Sequence, residues 1–511
     1  MSRAPALARK SPTQESEGVS VKSNAGSTGS QAQKFRGNDR VLFGIILGVL
    51  TFWLFAQTTL NIAPDMGRDL GLGASTMNTA VALTALFSGI FIVVFGGLAD
   101  RVGRVRIVRI GFYLSILGSF LVGLAPAGRW ASSCLLTGRA LQGLSGACIM
   151  PASLALVKTY WDGAARQRAV SLWSIGSWGG SGICALFGGL VTQSLGWRYI
   201  FFASVVVALL GLILIRGTPE SRAINKATYH FDFAGVITFM VAMIALETVV
   251  TQGNKFGWAS EPVLVLIAVA LVTGALFVRI ETRTATAFLD FSLFSNSTYT
   301  GATVSNFLLN AVSGTLIVSL ELVQLGGKMT AQQAGMLTLG YAVAIISFIR
   351  VGEKLLQRFG ARKPMVWGCL ITGLAIVFLL PANLLLKDYK ILAIIGYTLF
   401  GTGLAFYATP STDAALSNLP QGQAGAGSGL YKMASSLGAA FGVAISAAIF
   451  TSLSAGTDSA RWVEGVITFY GRQDNLEVRA AAMIALMFNI FMVAVAILSI
   501  MLTIPRGKNT H

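Results

Sequence analysis

Apolar runs of roughly 18 to 25 residues recur along this chain, and each is long enough to cross the bilayer core as a helix. They fall near residues 41–63, 77–99, 107–125, 133–157, 168–192, 197–215, 232–252, 262–280, 299–323, 333–351, 364–383, 390–411, 426–454 and 481–504, fourteen in all. A chain built this way is an all-α polytopic membrane protein. An even number of spans puts both termini on one side.

Composition agrees. Only 12% of the 511 residues are charged, against about a quarter in a soluble domain. The formal charge of +17 comes with no basic fold or motif of a nucleic-acid binder, so no nucleic-acid partner is expected. It reads as the Lys and Arg excess of cytoplasmic loops. With the spans placed as above, 26 of the 38 Lys and Arg fall in the tail and loops on the side of the termini, and 10 on the other side. Arg139 and Lys432 are left inside spans. Both termini are therefore expected in the cytoplasm of a cell (inner) membrane protein.

Cys134, Cys148, Cys184 and Cys369 all lie in apolar segments without metal spacing. They read as small packing residues. The two histidines, His230 and His511, stand at a span start and at the last residue, so neither is placed to relay protons. No nucleophile, metal cluster or cofactor loop is present, and neither an enzyme nor a cofactor is expected. Residues 1–40 lack an apolar core and are rich in Ser, Gln, Gly and Ala. They read as a disordered cytoplasmic tail rather than a signal peptide, and 505–511 as a second short tail.

The turn Gly96-Gly-Leu-Ala-Asp100-Arg101-Val-Gly103-Arg104-Val-Arg106 joins the second and third spans. A plain hairpin needs little sequence, so a run this charged suggests a task. Asp100 is suited to accept from helix N-terminal amides and nearby arginines, holding two parts of the protein together on the cytoplasmic side. A degenerate copy, Gln357-Arg-Phe-Gly-Ala-Arg-Lys363, closes the tenth span. Ser75 and Thr330 are N-cap candidates at the heads of the two spans concerned. Half-motifs of like orientation are those of parallel repeats.

The loop resembles the signature between spans two and three of the major facilitator superfamily. The fourth span, Leu135-Leu-Thr-Gly-Arg139-Ala-Leu-Gln142-Gly143, is similar to that superfamily's fourth-span motif. Gly188-Gly189 and Gly196-Trp197-Arg198-Tyr199, with the fourteen spans, resemble its fourteen-span drug/proton antiporters. The runs Thr51–Gln57, Trp173–Gly182, Arg350–Gln357 and Ala408–Asp413 look like the quinolone-exporter branch. The resemblance implies two six-helix bundles, over 41–216 and 286–504, joined through two linker spans within 217–285. It departs from the wider family at Ala56, where the first-span acid is missing, and at Cys184 and Ala185, which replace a Gly-Pro pair.

In that fold, spans one, four, nine and twelve line a central cavity. The resemblance thus assigns Gln57, Asn61, Arg139, Asn306 and Asn310 to the cavity. Asn306 and Asn310 share one helical face with Ser313 and Glu321, at about 100° per residue. Such amides serve either substrate binding or helix–helix bonding. Glu321 and Asp413 are the candidate proton carriers, since ionisable groups at membrane depth cost about 2.5–3.5 kcal/mol and are seldom idle. The alternatives are an acid in an aqueous vestibule for Glu321, and a pair with Lys432 or a plain helix-end acid for Asp413. Gly96, Asp100, Arg101, Gly103 and Arg104 form the expected gating motif. The expected activity is alternating-access export of amphipathic small molecules, driven by protons and carried out by a monomer in the lipid bilayer. The competing expectation is a carrier of an organic anion without proton antiport, suggested by Arg139 and Lys432.

Overall fold

A computed structural model of the chain describes residues 35–223, 232–284, 291–454, 463, 465–471 and 475–506. The tail expected over 1–40 lies outside them up to residue 34, as do His230 and 507–511. Among the described residues there is no strand, and fourteen helical rods follow one another. They are α1 (Asp39–Leu70), α2 (Ala74–Val102), α3 (Arg104–Gly123), α4 (Ala131–Tyr160), α5 (163–194), α6 (Arg198–Leu214) and α7 (Phe233–Phe256). Then come α8 (Glu261–Glu281), α9 (Ser297–Gly326), α10 (331–359), α11 (Arg362–Leu379), α12 (Leu386–Ser417), α13 (Ala424–Ser454) and α14 (Leu476–Thr503).

Twelve of these are long and apolar enough to cross a membrane unaided. α5 bends by 57° between Gly163–Cys184 and Leu186–Ser194 and makes a thirteenth span when its pieces are joined. α6 is an apolar helix of 17 residues, about 25 Å of rise at 1.5 Å per residue, and completes the set. Several rods outrun their apolar cores. α4 and α12 continue for a turn past the predicted spans because their ends, such as Lys387-Asp388 and Ser417, are polar and suit the interface.

Local chemistry sets the ends. Asn38 caps α1 by accepting from the amide of Val41 at 2.9 Å. Thr330 heads the tenth rod in a reciprocal capping box with Gln333. The matching expectation for Ser75 fails, since α2 starts at Ala74 with Gly73 in the cap position. The cause is the preceding turn: α1 ends on left-handed Gly71, and the amide of Leu72 returns to Gly67 O at 2.9 Å. The next rod therefore starts two residues early.

The helices fall into two sets with matching neighbours. In the first set α4 packs on α2 and α3, while α6 packs on α1 and α3. In the second, α12 packs on α10 and α11, while α14 packs on α9 and α11. The sets meet along two seams, α2 against α13 and α5 against α10. α7 and α8 pair with each other, and α7 also rests on α2 and α13. The apolar stretch of α4 is 83% buried inside the protein, against 11% for α8, so α8 faces lipid.

Three rods carry a π-turn, over Thr51–Ala56 in α1, Ile175–Gly179 in α5 and Leu322–Gly326 in α9. The first two lie side by side. Such turns leave backbone carbonyls free for other donors.

Candidate functional site

The two sets touch at the loop between α2 and α3. Asp100, only 4% exposed, accepts from the amides of Gly425 at 2.8 and 2.9 Å and of Ala426 at 3.0 Å, at the N-terminus of α13. The same carboxylate takes Arg104 through Nε at 2.9 Å and a terminal nitrogen at 2.7 Å. A helix N-terminus offers unpaired amides and a positive dipole end, so one carboxylate satisfies several orphan donors.

Arg104 spreads across the joint, donating also to Thr159, to Ser221 Oγ at 3.0 Å and to the carbonyl of Gln421. Glu220 holds the turn from behind, accepting from the amides of Val105 at 2.9 Å and Arg106 at 3.0 Å. Arg101 is half-buried on the same turn.

Two glycines make the approach possible. A Cβ on Gly96 would run into the carbonyl of Gly425, and a Cβ on Gly425 into that of Gly96. Gly103 has φ +133°, and a side chain there would collide with Glu220.

Other bonds between the sets share this face. Arg166 of α5 meets Asp413 of α12 at 2.8 Å, and both are largely buried. Gln167 reaches the other carboxylate oxygen at 3.5 Å. Lys158 donates to the carbonyl of Ser417 at 3.0 Å. Asp413 thus pairs with Arg166 rather than with Lys432. The degenerate copy is turned in on its own helix, where Gln357 donates to the buried Glu353 at 3.2 Å and Arg350 pairs with the same carboxylate. Beside the Asp100 joint, the ion pair Arg166–Asp413 ties α5 to α12 on this face.

Inside the first set, Arg139 is 1% exposed. Its guanidinium donates to Ala56 O at 2.8 Å, Ala80 O at 3.1 Å and Gln142 Oε1 at 2.7 Å. Ala56 ends the π-turn of α1, so the arginine ties α4 to a carbonyl at that irregular turn and to α2. Gln57, the next residue, is half-buried with no side-chain bond among the described residues. Asn61 is exposed, one turn further on, and touches Cys184 Sγ at 3.9 Å.

Inside the second set, Asn306 is 1% exposed and donates to Tyr431 O at 3.0 Å and to Ser435. Half-buried Asn310 stacks on it, donating to Asn306 O at 2.7 Å and Oδ1 at 2.9 Å. Below them runs a buried chain of hydroxyls. Ser305 meets Tyr407 at 2.8 Å, Tyr407 meets Ser411 at 3.0 Å, and Ser411 meets Tyr431 at 2.9 Å. Glu321 is half-buried and has no hydrogen bond or ion pair among the described residues. Eleven residues along α9 separate it from Asn310, about 16 Å, towards the face opposite Asp100.

Nothing in the sequence singles out Lys158, Arg166 or Glu220. Each is an ordinary basic or acidic residue beside a span, and only its partner across the chain gives it meaning. Trp53 and Trp173, which flank the Lys432 side chain, did lie in the branch-like runs around them.

Two related six-helix sets, joined at one face around a polar interior, define a polytopic solute carrier. The chain belongs to the Major Facilitator Superfamily of transporters, whose family model matches residues 42–443 and 291–501. It is 44% identical over 483 residues to the quinolone resistance protein NorB of Staphylococcus aureus strain MRSA252, covering 94% of this chain and 98% of that protein. The NorB protein of strain MW2 matches to the same extent. Among solved structures, the fold is similar to the human organic anion transporter MFSD10 (TETRAN), with a TM-score of 0.59 at 13% identity, covering 90% of this chain and 98% of that one. It is equally similar to the proton:xylose symporter XylE, with a TM-score of 0.59 at 14% identity, covering 92% and 96%.

Proposed function

We propose that this protein is a proton-driven exporter of amphipathic small molecules, working by alternating access in the cell membrane as a monomer. The Asp100 face is cytoplasmic in this reading, as are both termini. The single observation that carries it is the joint at Asp100. One buried carboxylate binds the N-terminus of a helix in the other set, over a glycine pair that lets the backbones touch. Hydrogen bonds to a helix end can be broken and remade without rebuilding a core, which suits a reversible latch. The kinship with quinolone resistance proteins over nearly the whole chain supports export of drug-like compounds.

Glu321 is the proton carrier in this scheme. It is half-buried on a cavity helix and uncommitted among the described residues, so proton binding costs it no ion pair. Asp413 serves the latch through Arg166. Gln57, Asn61 and Asn310 supply hydrogen-bonding groups to substrate, while Arg139 and Asn306 hold the cavity helices in place.

Purified protein in liposomes, given an imposed pH gradient and a fluorescent cationic substrate, tests the reading. Wild type should accumulate substrate against its gradient. Glu321→Gln should abolish that accumulation while leaving downhill exchange. Asp413→Asn should slow transport but keep the response to pH. Substrate movement that ignores the pH gradient in wild type refutes proton antiport and leaves the anion carrier. Loss of coupling in Asp413→Asn alone moves the proton to Asp413.

A further inference from the structure

Lys432 is a buried cation that the latch does not use. It lies on α13, seven residues past Gly425, about 10 Å deeper along the helix. It is 4% exposed. Its Nζ sits 5.0 Å from the ring centre of Trp173 on α5 and 5.8 Å from that of Trp53 on α1. The lysine belongs to one helix set and both indoles to the other.

The rings are held in place. Trp173 Nε1 donates to Ser153 Oγ at 2.9 Å, and Trp53 Nε1 approaches Met150 Sδ at 3.3 Å, both on α4. Among the described residues, Lys432 has neither a hydrogen-bond acceptor nor a carboxylate partner. The buried carboxylates Asp413 and Asp100 are committed elsewhere: Asp413 to Arg166 and Gln167, and Asp100 to Arg104 and the amides of α13. The adjoining Tyr431 hydroxyl bonds to Ser411 and Thr412.

A buried ammonium without a counter-charge is costly. Two indole faces offset part of that cost and leave the cation open to an anion. The surroundings also define what faces that anion: planar, polarisable walls from Trp53 and Trp173 on the opposite set.

We propose that Lys432, Trp53 and Trp173 form the anion-recognising end of the substrate site, taking the carboxylate of a planar aromatic acid. This rests on the exporter reading for its substrate but not for its chemistry. The ammonium pairs with the carboxylate while the aromatic body of the ligand lies along the indoles. Because the three residues come from both sets, a ligand bound there competes for the lysine that the tryptophans hold across the interface.

Binding to the full-length protein in detergent decides the matter, with no gradient imposed. The probes are a fluoroquinolone carboxylic acid, its methyl ester and ethidium, read by equilibrium dialysis and by quenching of tryptophan fluorescence. Wild type should prefer acid over ester by about tenfold. Lys432→Gln should bring the ratio close to one by weakening the acid, with ester and ethidium little changed, and Lys432→Arg should keep most of the preference. Equal binding of acid and ester to wild type overturns the proposal, as does a preference that survives in Lys432→Gln. If Lys432→Gln fails to fold, the wild-type ratio and its retention in Lys432→Arg still decide. A wild-type preference for the acid that Lys432→Gln removes, alongside failed export in liposomes, sinks the exporter reading and leaves this site standing.

Discussion

At the scale of single residues, Arg139 shows what a buried charge does when no acid is near it. Its guanidinium serves two backbone carbonyls and Gln142. The fixed fork of donors matters more than the charge. Arg139→Met would strand three acceptors at a cost of about 1–3 kcal/mol each where no water reaches them. The protein should melt at a lower temperature in detergent, followed by labelling of its four free cysteines with a thiol dye. Arg139→Lys should recover only part of the loss, and an unchanged melting curve in Arg139→Met would show that the carbonyls do not depend on it. The sequence marks Arg139 as unusual, because a cation in an apolar run stands out. It does not reveal the acceptors, because backbone carbonyls carry no sequence signal and the π-turn that ends at Ala56 is not written in the residues of α1.

At the scale of elements, the rods themselves were legible from apolar length, and all fourteen predicted spans coincide with helices. Their irregularities were not. The cap at Thr330 could be read because both halves of its box are polar and three residues apart. Ser75 looked equally good and is bypassed, since the left-handed turn at Gly71 dictates where α2 begins. The approach of α2 to α13 was half legible. Gly425 belongs to a four-apart glycine pair, but its partner Gly96 lies 329 residues away in sequence. Graded substitution tests this contact. Gly96→Ala should weaken closure and Gly96→Val should break it. Spin labels near the Asp100 ends of α2 and α13 should report a growing long-distance population, with transport falling by about tenfold, or 1.4 kcal/mol, in the valine variant. A distance distribution that stays put in Gly96→Val would mean that the helices do not need to touch there.

At the scale of the whole molecule, two contacts tie the helix sets together on one face by different means. One uses a carboxylate on a helix end, the other the ion pair Arg166–Asp413. An exchange of charges separates closure from local structure. Arg166→Asp should impair export, and so should Asp413→Arg, while the double exchange should restore a large share of the rate, because the pair interacts as a unit. Additive losses in the double variant would show that the two side chains act independently. Such a pairing is hidden in the sequence, where Arg166 is one loop arginine among several and the degenerate repeat at Gln357 points to the wrong residue.

The helices α7 and α8 carry a consequence of their own. They rest against the α2–α13 seam, and among the described residues nothing comparable covers the α5–α10 seam. Evolution from a repeat would leave the molecule the same from both flanks; these two helices give it a front and a back in the plane of the membrane. A lipid diffusing around the protein meets one joint sheathed by a helical buttress and the other bare.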